Sequence, residues 1–120
     1  MLKILIVDDS EYMRHLLDDI LKDEGFEVHQ ASNGQEMLDI FDSVKPDVVL
    51  IDIVMPVLNG IDAIKILHEK NPDARIIVCS AQSLQSVKDE AYAAGACGYI
   101  QKPFGVDIVM NAILDALKPH

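Results

Sequence analysis

The sequence predicts a doubly wound α/β domain, a five-stranded parallel sheet with five helices on its two faces. Three observations predict it. Four short β-rich apolar runs, Ile4-Leu5-Ile6-Val7, Val48-Val49-Leu50-Ile51, Ile76-Ile77-Val78-Cys79 and the weaker Tyr99-Ile100, are continuous rather than alternating, as strands covered on both faces are. The segments between them carry apolar residues at the helical period. Strand-like and helix-like segments alternate strictly, five times over with short connections, which calls for a parallel sheet joined by right-handed crossovers.

Each element has its own local reason. The first strand stops where Val7 meets Asp8-Asp9. In the first helix Met13, Leu16, Leu17, Ile20 and Leu21 fall on one face, and Glu11, Arg14, Asp18 and Lys22 face away. The second strand, Phe26-Glu27-Val28-His29-Gln30-Ala31, alternates apolar with polar, which suits a sheet edge. Asn33 followed three residues later by Glu36 resembles a capping box, opening a helix through Met37, Leu38, Phe41 and Val44 that stops before Pro46. A third helix runs from about Gly60 to Lys70 and is ended by Asn71-Pro72. The fourth spans Leu84 to Ala94, with Ser83 as cap and Gly95 as stop. The fifth covers Val106 to Leu117, with Val109, Met110, Ile113 and Leu117 on one face. No linker, repeat or low-complexity segment interrupts the pattern, so one domain over residues 1–120 is expected.

Composition narrows the function. The 120 residues carry 20 acidic against 10 basic side chains, a net charge of −10, and half are hydrophobic. A chain of this size buries roughly two-thirds of its unfolded surface, enough for a core without disulfides or a structural metal, so disorder is excluded. The acidic balance and the lack of any basic run argue against direct nucleic-acid binding. Cys79 and Cys97 have neither CxxC spacing nor a paired His, as expected of two reduced thiols. Met1 to Val7 reaches Asp8 too early for a signal segment, and no apolar stretch approaches membrane-spanning length. A cytoplasmic protein without membrane insertion is expected.

In such sheets ligands bind beyond the carboxyl ends of the strands. Asp8 and Asp9 follow the first strand, Asp52 the third, Ser80 the fourth and Lys102, with Pro103 next, the fifth. Parallel strands end on one rim, so these residues should share a crevice. Clustered carboxylates repel one another unless a cation compensates. Oxygen-only ligation without nearby His or Cys favours Mg²⁺, which takes a few carboxylates and prefers a phosphate oxygen as a further ligand. A carboxylate, a metal, a Lys and a hydroxyl are parts expected for phosphoryl transfer, and a carboxylate can itself be the nucleophile. Asp52 is the best candidate, ending a central strand before a loop shaped by Pro56 and Gly60.

The pattern Val7-Asp8-Asp9-Ser10, Asp52-Ile53-Val54-Met55-Pro56 with Asn59-Gly60, Cys79-Ser80-Ala81 and Gly98-Tyr99-Ile100-Gln101-Lys102-Pro103-Phe104 resembles the response-regulator receiver domain of two-component signalling. Within that family it is most similar to stand-alone CheY-like chemotaxis regulators. The resemblance covers essentially the whole chain. It implies the flavodoxin-like strand order 2-1-3-4-5, for which such regulators are themselves a type example. It also implies that Asp52 accepts a phosphoryl group from a phosphohistidine on a sensor histidine kinase or phosphotransfer protein. Asp9, Asp52 and the backbone carbonyl of Val54 would ligate Mg²⁺, with Asp8 acting largely through a water. Lys102 would contact the phosphoryl oxygens across a cis Lys102-Pro103 bond. Ser80 would hydrogen-bond the phosphoryl group, and Tyr99 would rotate inward as a switch. The output surface would be the fourth helix, fifth strand and fifth helix, with Leu84, Val87, Ala91, Ile108 and Asn111 as candidate contacts to a downstream protein. Val54 and Gln82 would flank the attacking water in dephosphorylation; an apolar Val54 cannot orient it, whereas Gln82 could, so slow or intermediate loss of phosphate is expected.

Singly, these features have bland readings. Asp8-Asp9 can be a helix cap, Asp52 a strand end, Ser80 a turn residue and Lys102-Pro103 a connection. Met13, Met37 and Met110 read as core filler. His15, His29 and His68 read as solvated or satisfied, and His120 as a mobile end. Asp18, Asp19, Asp23 and Glu24 read as a solvated face. Jointly, at successive strand exits, the site residues outweigh these readings. An Asp-nucleophile phosphatase competes, but the second Asp that haloacid-dehalogenase-like enzymes carry two residues on is Val54 here. A flavodoxin-like electron carrier would place a phosphate-binding loop where the acidic Asp8-Asp9 stands. Within signalling, a monomer controlling a flagellar motor leads, and a phosphorelay intermediate or a receiver excised from a longer regulator is its rival.

Overall fold

Apolar runs without a polar face are strands covered on both sides, and the structure puts three of them at the centre of the sheet. In this computed structural model, which describes residues 1–118, β1 (Lys3–Val7), β3 (Val48–Ile51) and β4 (Ile76–Ser80) are flanked by β2 (Glu27–Ala31) and β5 (Gly98–Gln101). All pairs are parallel, in the order β2-β1-β3-β4-β5. The alternating strand is an edge, as its half-polar pattern requires. His120 lies outside the described residues.

Alternate side chains of the central strands feed two apolar layers. Leu5, Val7, Val49, Ile51, Ile76 and Val78 pack with residues of α2 (Gly34–Val44), α3 (Gly60–Lys70) and α4 (Gln85–Ala94). Ile4, Ile6, Val48, Leu50, Ile77 and Cys79 pack with residues of α1 (Glu11–Asp23) and α5 (Val106–Leu117). Three helices start on side-chain caps at the carboxyl rim of the sheet. Ser10, Asn33 and Asn59 accept hydrogen bonds from the backbone N–H groups of Met13, Glu36 and Asp62.

Four expectations need correction. The α4 cap is not Ser83: the helix begins at Gln85 with Leu84 at the cap position, which has no side-chain oxygen to offer. Ala91 is not on an outer surface but fully buried, because a methyl side chain gives periodicity too little signal to set the helix's rotation. The Glu36 carboxylate returns to Ser32 Oγ at 2.8 Å instead of closing the capping box. His68 is not satisfied, since its Nδ1 is buried without a hydrogen-bond partner where α3 meets Gly95.

Candidate functional site

The rim residues converge. Asp8, Asp9 and Asp52 each offer a carboxylate oxygen, and these atoms all lie within 4.8 Å of one another. The backbone explains how. Asp8 N–H extends the β1–β2 ladder by donating to Ala31 O at 3.2 Å, and Asp52 N–H extends β3 by donating to Val7 O at 3.0 Å. Both side chains therefore leave adjacent strand ends at the crevice where the strand order reverses about β1.

Lys102 closes the cluster from the far edge. Its Nζ lies 3.0 Å from Asp8 Oδ2 and 3.3 Å from Asp52 Oδ2, and its backbone N–H donates to Ser80 O at 2.8 Å. The expected cis Lys102-Pro103 bond is present. Asp8 is buried, and its Oδ1 accepts from Ser10 N–H at 2.9 Å, whereas Asp9 is exposed. Burial pushes the Asp52 carboxyl above its ordinary range; Lys102 opposes that push and the nearby Asp8 charge adds to it. Burial pulls the Lys102 ammonium down, but its bond to Asp8 and the attraction of Asp52 and Asp8 outweigh this and leave it raised.

The loop after Asp52 is tightly constrained. Gly60 N–H donates to Ile53 O at 2.7 Å. A Cβ at Gly60 would come within 2.2 Å of Asp52 O and 2.6 Å of Ile53 Cα, so only glycine lets α3 start this close to the Asp52 backbone. Met55 is buried and anchors the loop, while Val54 is exposed, its N–H donating to Asp52 Oδ1 at 3.4 Å. A cleft of about 380 Å³ opens beside the loop, and Val54 and Gln82 both line it. A larger groove of about 600 Å³, between the C-terminal ends of α2 and α3, is lined by none of the site residues.

Ser80 is buried, its Oγ accepting from Gln82 N–H at 3.2 Å. Tyr99 is half-buried; its hydroxyl donates to Gln82 O at 2.7 Å, and its ring lies 5.5 Å from Lys88 Nζ. β5 and the β4–α4 loop are thus tied together directly. Arg14 was missed by periodicity, which turned it to solvent. It is half-buried, and its Nη1 donates to Asp8 O at 2.6 Å. Its place one turn after the Ser10 cap, beside the β1 exit, is the signal that was available.

The donor set fits a hard divalent cation, being three carboxylates with no His or Cys among them. Residues 4–114 match the family model for the response regulator receiver domain. The chemotaxis protein CheY of Listeria monocytogenes is 44% identical over 119 residues, covering 98% of this chain and all of that relative. CheY of Thermotoga maritima is 46% identical over 112 residues, covering 92% of this chain and 93% of the relative. In the crystal structure of the CheX–CheY–BeF3–Mg²⁺ complex from Borrelia burgdorferi, a chain with 28% identity superposes with a TM-score of 0.94, covering 98% of this chain and 90% of that one.

Proposed function

The chain belongs to the response regulator receiver family, and on that premise we propose that Asp52 is the phosphoacceptor of a two-component switch. Its phosphodonor is a phosphohistidine on a sensor histidine kinase or phosphotransfer protein. The observation that carries the reading is the convergence of Asp8, Asp9, Asp52 and Lys102 from three strand ends. An Asp52 carboxylate oxygen forms a bond to phosphorus as the donor's P–N bond breaks, and that electron pair leaves with the imidazole nitrogen. Asp9, Asp52 and the Val54 carbonyl would hold Mg²⁺, with Asp8 acting largely through a water, and the ion would supply charge neutralisation at the phosphoryl oxygens. Lys102 supplies a second positive charge from between Asp8 and Asp52. The Ser80 hydroxyl donates a hydrogen bond to a phosphoryl oxygen and draws the β4–α4 loop inward. Tyr99, bound to Gln82 O on that loop, must follow or release it.

The response is read by a downstream protein at the α4, β5 and α5 face, where Leu84 and Ile108 are exposed at 62% and 54%. The kinship with CheY proteins favours a flagellar-motor target. Residues 1–120 act as one receiver domain, monomeric and cytoplasmic, without direct nucleic-acid or membrane contact, promoting only its own phosphorylation and dephosphorylation. Among the described residues no helix is long and apolar enough to cross a membrane.

Intact-mass measurement after incubation with acetyl phosphate tests the reading. A Mg²⁺-dependent, hydroxylamine-labile gain of one phosphate that vanishes in Asp52→Asn is expected, and no gain in the unsubstituted chain refutes it. Because Val54, two residues after Asp52, lines the cleft beside that loop together with Gln82, Val54→Asn is expected to change the rate at which the phosphate is lost; an unchanged decay in that variant removes the role of this position.

A further inference from the structure

Arg14 reaches inward from α1 through a chain of hydrogen bonds. Its Nη1 donates to Asp8 O at 2.6 Å and its Nε to Gln30 Oε1 at 3.2 Å on β2. Gln30 Nε2 donates to Asp18 Oδ2 at 2.5 Å, one turn further along α1. Asp18, Gln30 and Arg14 therefore form a brace from the edge strand and α1 into the peptide that joins Asp8 to Asp9. Asp8 is held by other means as well, through Ala31 O, Ser10 N–H and Lys102 Nζ. Asp9 is exposed, and its side chain takes no part in these contacts.

We propose that Arg14 is a positioning residue for the divalent-cation site: by clamping the Asp8 carbonyl it fixes the Asp8-Asp9 peptide and so holds the Asp9 carboxylate toward Asp8 and Asp52. Gln30 and Asp18 lock the guanidinium in place. The inference rests on the reading that these three carboxylates hold Mg²⁺. Its sign separates it from simple electrostatics. A guanidinium near the site repels a dication, so deleting its charge would by Coulomb's law tighten cation binding. A positioning role demands the opposite.

Calorimetric titration with Mg²⁺ alone, together with thermal melts, tests it on the unsubstituted chain, Arg14→Gln, Gln30→Leu and the double variant. Arg14→Gln is expected to weaken Mg²⁺ binding roughly ten-fold, the lower end for loss of a group that orients a metal ligand. Gln30→Leu, which changes no charge, is expected to weaken it by a smaller factor. The double variant is expected to bind no worse than Arg14→Gln, because the two act through one brace. Unchanged or tighter binding in Arg14→Gln, with or without a lower melting temperature, overturns the positioning role while leaving the metal reading intact. An unsubstituted chain that binds no Mg²⁺ overturns both.

Discussion

Withdrawal from water holds the Asp52 carboxyl above its ordinary range, with Lys102 acting against this and Asp8 reinforcing it. An acid whose folded pKa exceeds its unfolded value binds protons more readily when folded, so its charge costs stability above the folded pKa and costs nothing below the unfolded one. Without metal, in EDTA, Asp52→Asn is expected to melt above the unsubstituted chain at about pH 7, the gap closing as the pH falls toward about 4, the unfolded value. Lys102 keeps its 3.0 Å partner Asp8 in the variant. Thermal melts across that range check it, and equal melting at neutral pH refutes it. Val57 presents a different cost. It sits at φ +73°, a left-handed conformation that a β-branched residue rarely adopts, and 81% of it is exposed. Asn tolerates that region, so Val57→Asn is expected to stabilise the fold by about 1 kcal/mol in urea unfolding. No gain would show that the loop has relaxed to avoid the strain.

Among the helices α4 has the weakest claim on its position. Its buried residues are two alanines, Ala91 and Ala94, and its first turn has no side-chain cap. α3, by contrast, buries Ile61, Ile64 and Leu67 and starts on Asn59. A helix with so small an apolar stake is the one whose packing a phosphoryl group can shift for a modest free energy. Leu84→Ser supplies an oxygen for the Val87 N–H and is expected to add about 1 kcal/mol to local stability, slowing hydrogen exchange of α4 amides about five-fold. Exchange that is unchanged, or slowed equally everywhere, places the soft element elsewhere. Glycine carries the opposite message at the α3 start, where backbone contact with Asp52 leaves no room for a side chain.

The molecule as a whole is a sheet whose two faces are sealed and whose carboxyl rim carries the acidic cluster, and its thiols report the difference between inside and outside. Burial pushes the Cys79 thiol, 2% exposed on β4, up to about 12; partial burial also raises the Cys97 thiol, but that residue is exposed to a reagent. A disulfide reagent at about pH 8 is therefore expected to titrate one thiol in the native protein and both in guanidinium; two fast native thiols would mean that the sheet opens. The amino-acid order alone dictates the strands, the helices and the residue at each strand exit, because an apolar run ending in Asp8, Asp52 or Ser80 is a local pattern. It also put the acidic residues on one rim, since parallel strands have a common polarity. The tertiary structure alone decided that Asp8 is buried while its neighbour Asp9 is exposed, that Lys102 bridges Asp8 and Asp52, and that Ala91 and His68 turn inward. It alone turned Arg14 from the outer face of α1 toward the Asp8 carbonyl. Periodicity fixes which side of a helix is apolar, but not the helix's rotation against its neighbours or where a long side chain puts its charged end, and those depend on partners distant in sequence.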